Sequence, residues 1–233
     1  MLTVVVAGGG FTGTEAAAAI MQRLRTAIAA EPALAGAEPH VHLVHSGERL
    51  VPSLRPRFTG VADYLEETVA AEGIAIRARR RLSSVSKAGA TLDDGTVIPS
   101  ATVISTVGQT PVVLPGTEEL LRDASGRLLT DRYLRVLPDV WAGGDAAAVP
   151  HPSGSGPCPS NALWAIYHGK RAGRNIVRTL HGRRPAPFRF PGLGQAASTG
   201  VGRGAAELYG IALTGWAAWV TRWLFFHAFM PSH

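Results

Sequence analysis

The stretch VVVAGGGFTGTEAAAAI, residues 4–20, sets the fold of the first part of the chain. Its valines predict a buried strand, and its alanines begin a helix that we expect over residues 12–30. The glycines of a G-x-G-x-x-G turn stand between them at Gly8, Gly10 and Gly13. Such a turn lets the backbone approach a pyrophosphate, whose charge the free N–H groups at the helix start attract. Because it follows a strand and precedes a helix, the turn predicts a dinucleotide-binding unit.

The segments that follow continue an alternation of strands and helices. The predicted elements are strands at 40–45, 74–76 and 101–108 and a helix at 59–72. Before the last of these strands, short β segments around residues 87–89 and a turn at Asp94-Gly95 predict a β-meander. The sequence therefore predicts an α/β fold of Rossmann type with a meander inserted before the final strand.

A second region contains the sequence VWAGGDAAA at residues 140–148. A loop rich in Pro, Gly and Ser then leads to a helix, with Ser160 as its predicted N-cap and Gly182 just past its C-terminus. Apolar side chains at helical spacing share one face of this helix: Leu163, Ile166, Tyr167, Ile176, Val177 and Leu180. The sequence GRRPAPFRFPG at residues 182–192 ends the pattern and begins a third region.

Composition limits the classes of protein and partner. A chain of 233 residues with a net charge of +6 and a pI near 10.2 favours an anionic partner, such as nucleic acid, an anionic membrane or a phosphorylated cofactor. The single cysteine, Cys158, excludes an internal disulfide and a C-x-x-C pair. The first apolar run is short and lacks a basic start, so we expect no signal peptide and a cytoplasmic protein.

Two further classes of site are not expected. The arginine-rich run at residues 77–81 has no interleaved aromatic residues, which argues against a nucleic-acid partner. His151, His181 and His227 are too far apart in sequence for metal-ligand spacing, so no metal site is predicted.

The ordered set of motifs resembles the FAD-dependent pyridine nucleotide-disulfide oxidoreductases, and the tail is most similar to the type II NADH dehydrogenases within them. The matching motifs are GGGFTGTE (8–15), TLDDGTVI (91–98), STVG (105–108) followed by Pro111, LLTDRYLRV (128–136), VWAGGDAAA (140–148), HGKRAGRNI (168–176) and the segment from residue 190 onward. The resemblance implies an NAD(P)H-binding domain at 1–112, the C-terminal part of a split FAD-binding domain at 113–186, and a membrane-associated segment at 187–233.

The family carries two glycine turns, one for FAD and a later one for NAD(P)H. The turn here precedes the meander, STVG and GGD motifs, so the resemblance matches it to the second turn. We therefore expect a chain that is truncated at its N-terminus, assigned a start downstream of the true one, or encoded by a split gene. Its partner would be the missing FAD-binding half or, in a homodimer, a second copy.

The resemblance also implies which residues bind and act on the cofactors. The NAD(P)H set is Gly8, Gly10, Phe11, Thr12, Gly13, His45 and Gly108, and the FAD set is Gly144, Asp145, Ala146, Asn161 and Ala162. Glu15 matches a glutamate near the nicotinamide that positions the ring or relays a proton. Its alternative role is a first-turn glutamate favoured by the helix dipole.

Three positions leave alternatives open. His45 stands where the family usually has an acidic residue for the ribose hydroxyls, so the choice between NADH and NADPH is open. Without the resemblance, Asp145 would be a turn-forming aspartate. The quinone motif of the family aligns to Ala162-Leu163 and Tyr167-His168, where three of its polar residues differ.

The resemblance implies hydride transfer from NAD(P)H to FAD and electron transfer to a quinone-like acceptor. The alternatives are a soluble reductase of the same fold acting on a ferredoxin or another acceptor, and a catalytically incomplete nucleotide-binding fragment.

The tail predicts an amphipathic helix. Trp216, Trp219 and Trp223 fall along one helical stripe that Phe226 extends. Residues 216–230 are too few to span a bilayer. Aromatic and basic side chains suit the headgroup boundary, so we expect peripheral attachment to the cytoplasmic face of the cell membrane. The alternative is that the stripe packs on the protein's own core or on a dimer partner.

Overall fold

The computed structural model describes residues 2–108 and 113–229 and divides into two compact units. The first unit combines residues 2–107 with residues 194–229, and the second contains residues 108–193. Three sequence features lie outside the described residues: Pro111 of the resemblance, the domain boundary at Val112, and the end of the tail at 230–233.

The first unit opens with alternating strands and helices. They are β1 (Leu2–Ala7), α1 (Phe11–Ala30), β2 (Pro39–Val44), α2 (Arg55–Ala71), β3 (Ala75–Arg77), β4 (Leu82–Ser86), β5 (Gly89–Leu92), β6 (Val97–Ile98) and β7 (Thr102–Ser105). The parallel sheet has the order β3-β2-β1-β7, and β4, β5 and β6 form an antiparallel meander. This is the strand order of a Rossmann half. The predicted α/β class is confirmed.

The valines of β1 serve two cores because alternate side chains of a strand point to opposite faces. Val4 and Val6 pack into one cluster with residues of α1 and α2. Val5 packs into another cluster with Ala90 and Leu92 of the meander. The sheet is therefore covered on both faces, as a parallel sheet requires.

Local predictions in the meander have different outcomes. The β segment predicted around residues 87–89 is wrong in its first two residues, because Lys87 and Ala88 form the turn between β4 and β5. The Asp94-Gly95 turn is confirmed: Gly95 has a φ of +84°, and Asp94 Oδ1 accepts a hydrogen bond from the Thr96 N–H at 3.0 Å.

The second unit contains short strands and one long helix. They are β8 (Leu128–Leu129), β9 (Arg135–Leu137), β10 (Val140–Trp141), β11 (Ala147–Ala148) and α3 (Ala162–Leu180). β8 pairs with β11 in parallel, and β9 pairs with β10 in antiparallel orientation. Leu134, Val149, Cys158, Trp164 and Phe188 form its buried cluster.

Both ends of α3 were predicted, one of them incorrectly. The N-cap is Asn161 rather than Ser160, because Asn161 Oδ1 accepts the N–H of Trp164 at 3.2 Å. Gly182 has a φ of +67° just past the helix, as predicted for a residue that ends a helix in the left-handed region.

The buried face of α3 is not the apolar face that the spacing defines. Trp164, His168 and Asn175 are buried, while most of the apolar set is exposed, up to 81% for Leu180. Asn175 is accommodated because its amide hydrogen-bonds Tyr133 and Ala186 at 2.8–3.0 Å. An apolar face therefore lies open on the second unit.

The tail returns to the first unit. Its elements are β12 (Gly194–Ser198), β13 (Gly204–Leu208), β14 (Ile211–Thr214) and α4 (Gly215–Phe229), and the strands form an antiparallel meander. Ala197 and Ala205 enter the same core as β1. Buried Glu72 forms ion pairs with Arg25 of α1 and Arg203 of the tail. Most of the segment predicted as a third region is thus part of the first unit.

The stripe predicted on α4 is divided between two faces. Trp216 and Trp223 are 64% and 47% exposed, whereas Trp219 and Phe226 are half-buried against the first unit and Ala218 is fully buried. Over residues 2–108 and 113–229, no helix combines the length and the apolar character needed to cross a bilayer.

Candidate functional site

The glycine turn joins β1 to α1 and leaves room where a ligand would approach. Gly8 has a φ of +126°, and a side chain there would collide with Thr106. A side chain at Gly13 would collide with the Gly8 carbonyl oxygen, so these two glycines keep the turn compact. A side chain at Gly10 would meet nothing within 4 Å, and no side chain caps the helix there. The turn therefore presents backbone N–H groups to open space.

The other residues predicted to bind NAD(P)H differ in their surroundings. Phe11 packs partly against the core, and Thr12 is exposed. Gly108 has a φ of +70° with open space at its Cα. Thr106 at the end of β7 donates its hydroxyl to the Ala7 carbonyl at 2.8 Å, which ties β7 to the turn.

His45 is buried at the end of β2. A side chain at Gly9 would come within 2.7 Å of its ring, and its Nε2 has no hydrogen-bond partner among the described residues. Burial lowers the pKa of His45, and the nearby Glu66 carboxylate opposes that shift. The loop after β2 exposes the side chains of Ser46, Glu48 and Arg49.

The charges of this loop are already paired. Glu48 forms an ion pair with Arg79, while Arg49 bonds Asp63 and Glu66 at 2.8 Å each. Glu48 belongs to the loop after β2, which is the loop that contacts a ribose in Rossmann units. The sequence had drawn attention to His45 instead.

Glu15 is held by the tail. Its Oε1 accepts a hydrogen bond from the Ser198 N–H at 2.7 Å and forms an ion pair with Arg222 Nη2 at 2.9 Å. The first turn of α1 contains no acidic residue, so the alternative role of Glu15 as a first-turn glutamate is wrong. No signal in the sequence identified Ser198 and Arg222 as its partners.

In the second unit, the GGD motif forms a single 3₁₀ turn at Gly144–Ala146. Gly144 has a φ of +70°, and its N–H donates to Nδ1 of His168 at 3.1 Å. A side chain at Gly143 would lie 2.9 Å from the Cβ of His168. The turn is therefore seated directly on α3.

Asp145 projects from this turn without a partner. It is exposed, as is Ala146, and its carboxylate makes no hydrogen bond or ion pair with any residue the structure describes. A turn-forming aspartate would accept a backbone N–H two residues on. Asp145 instead leaves both carboxylate oxygens open to a ligand near the start of α3, where Asn161 is half-buried and Ala162 exposed.

Tyr167 and His168, the second pair of the aligned quinone motif, pack against aromatic side chains of the second unit. Tyr167 stacks on Phe190 with ring centroids 3.8 Å apart. His168 is buried among Trp164 and Phe188, and burial lowers its pKa to about 4 against the opposing charge of Asp145. The described residues contain no cluster of His, Cys, Asp or Glu suited to a metal.

Comparison with known proteins gives consistent matches. The family model described as pyridine nucleotide-disulphide oxidoreductase matches residues 2–169. The NADH dehydrogenase-like protein Rv1812c of Mycobacterium tuberculosis is 30% identical over 199 residues, covering 81% of this chain and 46% of that protein. Demethylphylloquinone reductase NdbB of Synechocystis is 26% identical over 236 residues, covering 99% and 55%. The chain spans about half the length of these relatives.

Two solved structures share the fold. The ferredoxin reductase for the CYP199A2 system of Rhodopseudomonas palustris has a TM-score of 0.60 at 20% identity, covering 84% of this chain and 44% of the other. LpdA of Mycobacterium tuberculosis has a TM-score of 0.63 at 22% identity, covering 89% and 40%.

Proposed function

The chain belongs to the pyridine nucleotide-disulphide oxidoreductase family, and on that premise we propose that it binds NAD(P)H and takes part in a flavin-dependent transfer of electrons to a quinone-like acceptor. The observation that carries the proposal is the turn at Gly10. It combines an uncapped helix N-terminus with open space, beside the central strand of a parallel sheet. That is the arrangement that binds a pyrophosphate.

The nucleotide would be held mainly by backbone groups of the turn. The N–H groups at Phe11 and Thr12 would donate to the pyrophosphate, and the dipole of α1 favours its charge. Gly8 and Gly13 would keep the helix close enough for this contact. Glu15, one turn further along α1, would face the nicotinamide end and position the ring.

The loop after β2 would read the ribose. Glu48 is the acidic side chain exposed there, and a carboxylate accepts ribose hydroxyls but repels a 2′-phosphate. The ion pair with Arg79 weakens that repulsion because it partly neutralises the carboxylate. The arrangement favours NADH, with the Glu48–Arg79 pair as the determinant in place of His45.

The residues of the second unit fit one part of a flavin. Asp145 offers an unpaired carboxylate to a ribityl or ribose hydroxyl, and Gly143 and Gly144 allow its turn to pack closely on α3. The N-terminus of α3 would stabilise negative charge on a reduced ring. FAD, when bound, supplies the ring chemistry that accepts a hydride and releases electrons.

This part of the pocket is incomplete by itself. The β8–β11 pair is a parallel sheet of two strands, and parallel sheets are normally covered on both faces. The exposed apolar face of α3 also indicates that a surface is left uncovered. We propose that a further polypeptide carrying an FAD-binding glycine turn covers these surfaces. The competing interpretation, a nucleotide-binding fragment without flavin, requires no such partner.

A quinone-like acceptor is favoured by the name of one relative, demethylphylloquinone reductase. The likeness to a ferredoxin reductase concerns the fold alone and does not favour a ferredoxin. Since Tyr167 and His168 pack inside the second unit, the acceptor would be bound by other residues than those of the aligned quinone motif.

Peripheral attachment to the cytoplasmic face of a membrane is part of the proposal. The exposed face of α4 contains Trp216, Val220, Trp223 and Leu224, and aromatic rings of this kind settle at the headgroup boundary. The net positive charge of the chain would add attraction to anionic lipid.

Substitution of Gly10 tests nucleotide binding. Its φ of −82° and ψ of −172° suit any residue, and a Cβ there meets open space, so Gly10→Val should fold normally. The added side chain would obstruct the pyrophosphate and lower NADH affinity by about tenfold or more. Gly60→Val, at an exposed glycine of α2 with equal space, is the matched control. Equal NADH affinity in the wild type and Gly10→Val would refute this binding site.

A further inference from the structure

The carboxylate of Glu15 lies between the glycine turn and the tail. Glu15 follows Gly10 by five residues on α1, and both of its partners, the Ser198 N–H and Arg222 Nη2, come from the tail. The hydrogen bond and the ion pair both involve the same oxygen, Oε1. Oε2 receives no hydrogen bond from the described residues and is therefore available to a ligand.

The position of the Arg222 guanidinium is also restricted. It lies over the ring of Phe226, with 4.5 Å between its carbon and the ring centroid. Its Nε is buried and has no hydrogen-bond partner within the described ranges, so the bond to Glu15 orients the group. The side chains of Arg222 and Glu15 are 27% and 28% exposed, which places the pair out of full solvent screening.

The tail does not need this ion pair for its attachment. Glu72 pairs with Arg203, and Gln22 Nε2 donates to the Thr199 carbonyl at 2.7 Å. The core shared by Ala197 and Ala205 adds apolar contacts. A purely structural function for Arg222 would therefore repeat what other contacts already provide.

We propose that Arg222 is a positioning residue for the nucleotide site: together with the Ser198 N–H it fixes Oε1 of Glu15, so that Oε2 accepts a hydrogen bond from the carboxamide NH₂ of a bound nicotinamide. The inference rests on the proposed binding of NAD(P)H at the glycine turn. It assigns a function in that site to a residue more than 200 positions away in sequence. A displacement of α4 would consequently move Arg222 and change the orientation of the Glu15 carboxylate at the nicotinamide end of the site.

Two nucleotides separate this function from a structural one. NADH carries the carboxamide, and ADP-ribose lacks the nicotinamide but keeps the pyrophosphate. Arg222→Gln should weaken NADH binding roughly five- to tenfold and leave ADP-ribose binding unchanged, because one charge-assisted contact is lost indirectly. Arg222→Lys, which keeps the charge, should recover part of the loss. Arg23→Gln, at an exposed arginine of α1, is the control.

A double-mutant cycle with Glu15→Gln completes the test. If Arg222 acts through Glu15, the double variant should bind NADH no more weakly than Glu15→Gln alone. Equal losses for NADH and ADP-ribose, no loss for either, or additive losses in the cycle would each overturn the proposal. If Arg222→Gln does not fold, the comparison rests on Arg222→Lys, and a lysine variant with wild-type NADH affinity counts against the orientation by Arg222. A wild-type chain that binds neither nucleotide would overturn the proposed function itself.

Discussion

Nδ1 of His168 accepts a hydrogen bond from the backbone N–H of Gly144 at 3.1 Å. Because Nδ1 is the acceptor, the proton of the neutral ring resides on Nε2, which is buried without a partner among the described residues. Protonation of Nδ1 would place its N–H against the Gly144 N–H, so that two donors would face each other. It would also leave a positive charge among aromatic rings. The GGD turn thus depends on a neutral imidazole.

The first prediction concerns the pH dependence of stability. Burial lowers the pKa of His168 from 6.5 to about 4. Between these two pH values the unfolded chain binds a proton that the folded chain does not. The contribution of His168 to the free energy of unfolding is therefore fully present above pH 6.5 and is lost as the pH falls towards 4. His168→Leu should flatten the decrease in the free energy of unfolding between pH 7.5 and 5, measured by urea denaturation.

The same substitution leaves the Gly144 N–H unpaired, which should cost about 1–3 kcal/mol at pH 7.5. Half-buried His42 and buried His45 also have lowered pKa values and add a background of the same sign in both proteins. His181→Leu, at the exposed end of α3, is the matched control. A His168→Leu variant that keeps the full pH dependence would contradict this account.

The second prediction concerns flavin content. The purified chain should carry little FAD, because the second unit supplies only the Asp145 side of a pocket and leaves the apolar face of α3 open. The visible absorbance spectrum of the purified protein measures this directly, with NADH binding as the check that the first unit is folded. A near-stoichiometric flavin spectrum would disprove the need for a further polypeptide.

The third prediction concerns the choice of nucleotide. Glu48→Arg should shift the affinity ratio from NADH towards NADPH, because it removes the carboxylate that repels a 2′-phosphate and frees Arg79 to bind one. Each new charge-assisted contact is worth about 1.5–3 kcal/mol. Titration calorimetry with both nucleotides gives the ratio. Glu38→Arg makes the same charge change at the opposite end of β2, and an equal shift there would exclude a local effect.

Since the family usually has an acidic residue at position 45, His45→Glu is also expected to shift the preference towards NADH. Because His45 is buried against Gly9, a carboxylate there would have to leave the interior to reach a ribose. The comparison of Glu48 and His45 variants shows which side chain reads the nucleotide.

Local rules sufficed for the glycine turn and the two elements that it joins. The periods of β1 and α1 and the glycine spacing predict the strand–turn–helix motif, although the collision that excludes a side chain at Gly8 comes from the distant Thr106. The ordered motifs also led to the correct family, as the match over residues 2–169 confirms. The assignment of cofactor residues to the turn remains a prediction.

Long-range contacts account for what the sequence did not reveal. The buried face of α3 contains Asn175, whose amide is satisfied by Tyr133 and Ala186 on other segments. The spacing of apolar residues cannot predict such hydrogen bonds. It therefore identified the wrong face of α3 as the buried one. Glu15 and Ser198 are 183 residues apart, and neither segment alone indicates the contact.

The last prediction concerns membrane attachment, for which the structure calls for point substitutions. Removing the tail from Leu213 onward would take away most of α4, with buried Ala218 and the Arg222–Glu15 pair, and would damage the first unit as well as any anchor. Trp216 and Trp223 are exposed and can be replaced without opening the core.

Trp216→Ser combined with Trp223→Ser should therefore lower binding to anionic liposomes by about tenfold or more, since two aromatic rings lose their burial at the headgroup boundary. A flotation assay measures the bound fraction, and circular dichroism verifies the fold. Val85→Ser combined with Val97→Ser, at exposed apolar positions of the β4–β6 meander, serves as the control. If the tryptophan variant floats with the lipid as well as the control does, α4 does not hold the protein to the membrane.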